Sequence, residues 1–389
     1  MRERSALEVF LVFLKLGVTS FGGPVAHLGY FRSEFVVRRR WLGDAAYGDL
    51  VALCQFLPGP ASSQVAYSIG LSRAGYSGGL AAWAGFTVPS AILMTAFAYG
   101  ADALHGSVGS GVLHGLQLVA VAIVAQAVFG MGRTLCPDRQ RVVIAAVAAV
   151  IVLGGRASAA QIGAVLMGAA AGLWLCRSPV TVAADSLGLR VSRRAGLVAL
   201  ASFCVLFVAL PIIGAVWPSV RFFDAFYRSG ALVFGGGHVV LPLLSRAVVA
   251  PGWVSEARFL SGYGAAQALP GPLFAFAAYL GAVSARTPNG VVGACVGIIA
   301  IFLPGMLVLV GALPFWDGLR RRAAAQAAMR GINAAVVGLL AAALYNPLWI
   351  TSIKSPADFA IALFGFILLV AGGAPLLVVM ILAAAGGLM

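Results

Sequence analysis

Long apolar stretches follow one another along almost the whole chain, at about residues 7–31, 45–70, 78–100, 112–132, 142–154, 158–176, 197–217, 223–249, 257–284, 289–316, 323–350, 357–371 and 374–389. Crossing a bilayer takes about 20 apolar residues in a helix, so the succession predicts an all-α polytopic membrane protein. Composition agrees: 61% of the residues are hydrophobic and 10% are charged, whereas soluble domains carry roughly a quarter charged residues. The stretches 142–154 and 357–371 are short for a crossing and read as half-helices or tight hairpins. The N-terminus, MRERSALEVFLVFLKLG, starts basic but reaches no small-residue cleavage site, so it reads as a first membrane segment and not as a signal peptide.

An internal repeat organises these stretches. FLKLGVTSFGG (Phe13–Gly23) aligns with FYRSGALVFGG (Phe226–Gly236), an offset of 213. Trp41 and Asp44 match Trp253 and Glu256 at 212, and QFLPGP (Gln55–Pro60) matches QALPGP (Gln267–Pro272) at the same offset. Tyr67 matches Tyr279, and GLQLVAV (Gly115–Val121) matches GINAAVV (Gly331–Val337) at 216. The chain divides into a first repeat at 1–176, a linker with a connecting helix at 177–222 and a second repeat at 223–389.

Loop charge predicts how the repeats lie. The loop near 101–111 has no Lys or Arg, but its counterpart carries Arg320, Arg321, Arg322 and Arg330. The loop after the fourth stretch carries Arg133, Arg139 and Arg141, against Lys354 alone in its counterpart. Positive loops face the cytoplasm, so about six membrane segments per half plus one connecting helix predict inverted-topology repeats, an architecture of secondary transporters. The N-terminus is then cytoplasmic and the C-terminus external. Arg38, Arg39 and Arg40 disagree if every stretch spans: either the first or second stretch re-enters the membrane, or these arginines serve another purpose.

The two LPGP motifs put prolines around a glycine inside apolar stretches, which predicts broken helices. Irregular backbone at membrane depth is tolerated where it lines a cavity or is buried in protein, and a helix restarting after Pro60 or Pro272 would offer free N–H groups to an anion. A simple packing kink is the plainer alternative. The glycine runs at Phe21, Gly22, Gly23 and Pro24, and at Phe234, Gly235, Gly236 and Gly237, can form anion-binding nests or let helices pack closely. Lys15 and Arg228 occupy equivalent positions six residues before these runs; they could balance a dianion or snorkel to headgroups. The candidate site is therefore Lys15, Phe21–Pro24, Gln55, Pro58, Gly59, Pro60, Arg228, Phe234–Gly237, Gln267, Pro270, Gly271 and Pro272. The Gln117 and Asn333 pair reads as helix bridging.

Other chemistries find no support. The net charge is +14, but no solvated basic face suggests nucleic acid. Five scattered cysteines read as small buried hydrophobes, and the four histidines, His27 among them, read as structural with no metal spacing. No Walker A loop, dinucleotide fingerprint or nucleophile elbow is present, so neither catalysis nor a cofactor is expected.

The two halves, FLKLGVTSFGGPVAHLGYFRSEFVVRRRWL with QFLPGPASSQ and FGGGHVVLPLLSRAVVAPGWV with FLSGYGAAQALPGPLFAFAAYLG, resemble the chromate ion transporter family in its long, two-domain form. The resemblance runs from about residue 8 to 345; Gly237, where the first half has Pro24, is a departure. It implies a multi-pass carrier of the bacterial inner membrane that expels chromate, with sulfate as a close analogue; the expulsion would be driven by the membrane potential or by a proton gradient. The expected partners are the oxyanion and the lipid bilayer, with a homodimer left open. A sulfate or other oxyanion importer coupled to a cation gradient is the alternative.

Overall fold

The computed structural model describes residues 5–21, 23–103, 107–155, 158–177, 191–234, 239–319, 322–371, 378–379 and 381–383, and among them every regular element is helical. Helix α1 (Ala6–Thr19) starts at Ser5, whose hydroxyl accepts from the Leu7 N–H, and stops where Ser20 turns extended. After the first glycine motif, α2 (Gly23–Phe31) continues as a π-helical turn over Arg32–Arg38. This second arm comes back along the first: Phe13 stacks on Phe35 at 4.9 Å, and Arg39 Nη1 lies 3.7 Å from Glu8 Oε1 near the start of α1. The first apolar stretch is thus a hairpin that turns after Ser20 and Phe21.

The second stretch repeats the design. Helix α3 (Asp44–Phe56) begins beside the first hairpin, with Asp44 paired to Arg32 at 2.8 Å and Tyr47 donating to the Leu28 carbonyl at 2.6 Å. It ends at the LPGP motif, and α4 (Ala61–Ala103) restarts beyond it. That helix bends at Ala74 and Gly75, the latter at φ 66°. Its first arm has by then returned to the start, because the Arg73 guanidinium sits 4.7 Å from the Trp41 ring. Residues 44–73 therefore form a second hairpin, with LPGP at its tip. The second arm of α4, 76–103, is about 42 Å long at 1.5 Å per residue and runs to the far end of the molecule.

The remainder of the first half is α5 (Ser107–Leu135), α6 (Arg139–Gly154) and α7 (Ser158–Leu175), followed by the connecting helix α8 (Arg193–Gly214). The second half opens with α9 (Pro218–Ala231), then α10 (Val240–Leu244) and its π turn over Ser245–Val249, which starts 213 residues after the first π turn. Phe222 stacks on Trp253 at 5.9 Å, closing this hairpin. Helix α11 (Glu256–Ala268) leads to the second LPGP motif, and a short 3₁₀ turn enters α12 (Phe276–Ala282). The Ala285 N–H then donates to the Trp253 carbonyl at 2.8 Å, closing the fourth hairpin. Helices α13 (Gly290–Ala312), α14 (Trp316–Leu319), α15 (Ala323–Ala343), α16 (Ile350–Ser352) and α17 (Pro356–Val370) follow, and the described residues at 378–379 and 381–383 are helical too.

The hairpins of the first half open at the end of the molecule holding Trp41, and those of the second half at the end holding Trp253. At the Trp41 end, Trp316 after α13 donates to Asp49 at 3.4 Å. At the Trp253 end, Arg246 donates to the Val152 carbonyl near the α6–α7 turn at 2.8 Å, and His114 meets Asp358 at 2.7 Å. Close helix crossings recur in register. Gly17 on α1 backs onto the Gly85 and Phe86 carbonyls of α4, and Gly230 on α9 backs onto the Ile301 carbonyl of α13; the prolines inside these long helices, Pro89 and Pro304, set their offset at 215.

Among the described residues, five helices are long and apolar enough to cross a membrane: Ala61–Gly100, His114–Leu135, Arg193–Gly214, Gly290–Phe315 and Ala323–Ser352. Many outward side chains on them are large and apolar, such as Val205, Val208 and Ile212 on α8, as a lipid-facing surface requires. The cysteines divide: Cys54, Cys136 and Cys176 are buried as expected, but Cys204 and Cys295 are exposed on apolar helices, where a small thiol faces lipid at little cost.

Candidate functional site

The four hairpin tips meet in two reciprocal junctions. The Gly59 N–H, in the first LPGP motif, donates to the Val233 carbonyl of the second half at 2.7 Å. The Gly271 N–H, its repeat equivalent, donates to the Ser20 carbonyl of the first half at 2.9 Å. Ser20 and Val233 each immediately precede a glycine motif, at the repeat offset of 213. Each LPGP tip of one half thus clasps the glycine-motif tip of the other.

Local chemistry dictates this shape. Leu57 and Leu269, the last residues before the prolines, are extended at φ −82°, ψ 152° and φ −83°, ψ 148°, as a residue before proline prefers. Gly59 and Gly271 then take φ of 122° and 91°, a region that side chains strongly disfavour. Contact also demands glycine. A Cβ on Gly59 would stand 2.8 Å from the Gly305 Cα, and one on Gly271 would strike the Ser90 hydroxyl.

Polar side chains lock each tip to the long helix beside it. Gln64 Nε2 donates to the Pro58 and Gly305 carbonyls, both at 2.9 Å, and Ser90 Oγ donates to the Pro270 carbonyl at 2.6 Å. Neither residue was among the sequence candidates, although Gln64 closes the QFLPGPASSQ motif and Ser90 follows Pro89. In α4, the restarted helix presents first-turn N–H groups ahead of the Gln64 N–H, which bonds the Pro60 carbonyl at 2.9 Å; such leading donors have no intrahelical partner. The second half restarts as a 3₁₀ turn, with the Ala275 N–H on the Pro272 carbonyl at 2.9 Å.

The sequence candidates fall into groups. Pro58, Gly59, Pro60, Pro270, Gly271 and Pro272 build the LPGP tips. Phe21 and Gly23 flank the first glycine tip, and Phe234 flanks the second. Gly22 and Gly235–Gly237 lie outside the described residues, and of Pro24 only the backbone, within α2, is described. Gln267 is buried and bonded to Tyr263, but its counterpart Gln55 is exposed. Gln117 bridges helices, donating to the Ala257 carbonyl at 3.2 Å and to Ser261 at 3.3 Å.

The two cations are not brought to the tips. Lys15 is on the exposed face of α1. Arg228 is paired with Asp224 at 2.9 Å, donates to the Phe207 carbonyl at 2.6 Å and lies 4.5 Å over the Phe207 ring. It lines a cavity of about 490 Å³ with Arg221, Arg246, Asp224 and Gln161. Three arginines against one aspartate give that cavity a net charge of +2. It also touches Leu232, the neighbour of Val233 at the tip, so it reaches from the Trp253 end toward the junction. Four of the acids near helix ends are engaged away from the tips: Glu8 with Arg39, Asp44 with Arg32, Asp49 with Trp316 and Asp224 with Arg228.

The chromate transporter family model matches residues 7–175 and again 220–388. The chain is 28% identical to a chromate transport protein of Pseudomonas aeruginosa, over 97% of this chain and 90% of that one. It is 26% identical to a chromate transport protein of Cupriavidus metallidurans, covering 87% and 81%, and 24% identical to an uncharacterized transporter of Methanocaldococcus jannaschii, covering 87% and 83%. No solved structure matches the chain. With one family match over each clasped half, the chain belongs to the chromate transporter family.

Proposed function

We propose that the protein exports chromate across the bacterial inner membrane, conferring chromate resistance, with the four hairpin tips forming a site at the bilayer midplane. The observation that carries this reading is the reciprocal clasp of Gly59 on Val233 and Gly271 on Ser20. Hairpins that enter from opposite ends and meet at their tips give one substrate position reachable from either side, which alternating access requires. Membership of a family whose relatives are named for chromate transport supplies the substrate class.

In the membrane we assign the Trp41 end to the cytoplasm. Arg38, Arg39, Arg40 and Arg73 gather there, in keeping with positive-inside orientation, and the re-entry of the first two stretches removes the conflict those arginines pose for a fully spanning arrangement. The repeats are then inverted, as their loop charges predict. Each elementary charge crossing 100 mV gains about 2.3 kcal/mol, so a dianion leaving a negative interior gains about 4.6 kcal/mol. At about 1.4 kcal/mol per tenfold, that sustains a gradient above a thousandfold. The acids paired away from the tips fit a carrier driven by the membrane potential.

One observation favours a second reading, uptake of sulfate or another oxyanion coupled to a cation. The cationic cavity opens at the Trp253 end, external in this assignment, where it would capture anions. Proteoliposomes of the purified protein decide between them. Export predicts chromate flux toward the positive side under an imposed potassium-diffusion potential, with no requirement for a proton or sodium gradient. Inward flux that needs such a gradient supports uptake, outward flux that needs a proton gradient would make the exporter proton-driven, and no anion flux at all contradicts both.

A further inference from the structure

The two tip junctions share a backbone design but differ in side-chain chemistry. At the junction of Gly271 with the first glycine motif, Ser20, His27, Thr87 and Ser90 are all at most 2% exposed. Their repeat equivalents at the other junction, by the offsets of 213 and 215, are Val233, Val240, Phe302 and Gly305. None of the four equivalents carries a polar side chain, and the one polar side chain already placed at that junction, Gln64, also comes from the first half. Burying polar groups is costly unless they are bonded, so a scaffold alone gains nothing from this difference.

Most of these groups have no bond to compensate that cost. Among the described residues, Ser20 Oγ and Thr87 Oγ1 are fully buried with no hydrogen-bond partner, and the buried His27 ring, with the Ser20 backbone within reach of one nitrogen, leaves at least one ring nitrogen unpartnered. They gather at one place. The His27 ring lies beside the Ser20 backbone and edge-on to Phe86 at 5.2 Å. The Ser20 carbonyl takes the Gly271 N–H, and a Cβ on Gly271 would meet both the Ser90 hydroxyl and, at 3.2 Å, the Phe86 carbonyl. Thr87 is three residues from Ser90 along α4 and so shares its side of the helix.

We propose that Ser20, His27, Thr87 and Ser90 form the hydrogen-bonding wall of the oxyanion site, so that the first half binds the anion and the second half supplies an apolar counterface. This rests on the oxyanion-transport reading above. Hydroxyls and a neutral imidazole N–H are donors that can surround a tetrahedral oxyanion without a fixed cation, and a bond to a charged acceptor is about twice as strong as a neutral one. The substrate class is a tetrahedral dianion such as chromate or sulfate. His27, which the sequence alone gives as a lone structural histidine, becomes a substrate-binding residue.

The test is equilibrium binding of radiolabelled chromate and sulfate to the full-length protein in detergent, with the melting temperature measured with and without anion. Ser20→Ala and Thr87→Val each remove an unpaired buried hydroxyl while keeping shape. Both variants should melt at or above the wild-type temperature without anion, yet bind about tenfold more weakly, as loss of one bond to a charged group implies. His27→Leu should weaken binding further, and His27→Gln, which retains an amide donor, should recover part of the loss. If Ser20→Ala and Thr87→Val bind both anions within twofold of wild type, the proposal is overturned, whether or not His27→Leu folds. Wild-type protein that binds neither anion overturns the transport reading itself, and this proposal with it.

Discussion

Gly271→Val and Gly59→Val are expected to abolish chromate transport, with activity falling at least a hundredfold. Each glycine has a positive φ, which costs a side chain about 1–3 kcal/mol and a β-branched one more. Each also supplies the N–H that clasps the opposite half. Alanine, expected from the motif alone to be milder than valine, is already too large in this packing, but the two positions differ. A Cβ on Gly271 meets the Ser90 side-chain oxygen, whereas one on Gly59 meets the Gly305 backbone. Gly271→Ala should therefore recover part of its melting temperature when combined with Ser90→Ala, the positive φ and the lost Ser90 bond to the Pro270 carbonyl keeping the rest. No side-chain truncation at Gly305 is available to do the same for Gly59→Ala. Melting curves of the four variants check this; equal behaviour of the two alanine variants in both backgrounds would mean that the tips are not packed as described.

The second large effect is all-or-none labelling. Arg38 and Ala250 are repeat-equivalent at the offset of 212, both exposed, just before Trp41 and Trp253. In a background without native cysteines, Arg38→Cys should react with a membrane-impermeant maleimide only in inverted vesicles, and Ala250→Cys only in intact cells. Labelling of both from one side would mean that the hairpins enter the membrane from the same face, leaving no midplane meeting of their tips.

Much of this architecture is legible in the residues. Apolar run length announces a membrane protein, and prolines flanking a glycine announce the breaks after Phe56 and Ala268, because those effects act within a few residues. The repeat is visible since both copies retain the glycines and prolines that irregular backbone requires. The hairpins are legible only as a contradiction, in three arginines at 38–40 on the wrong side of a spanning helix. Their return depends on contacts such as Phe13 with Phe35 and Arg73 with Trp41, which no periodicity encodes. The clasp joins residues more than 170 positions apart, and nothing near Gly59 in the chain points to Val233. The polar asymmetry of the junctions is present in the aligned repeats, but single serines and a lone histidine carry weight only once burial is known. Lys15 and Arg228 illustrate the reverse: equivalent in sequence, one is exposed and the other is held by Asp224 and Phe207.

The central claim is that the oxyanion binds where the four hairpin tips meet. Anomalous scattering from chromium in a crystal of the protein with bound chromate locates the anion by element. A single strong peak is expected between the LPGP tips and the glycine motifs, within hydrogen-bonding reach of Ser20, His27 or the backbone N–H groups following Pro60. A peak confined to the arginine cavity at Arg221 and Arg246, or beside Lys15, would contradict it.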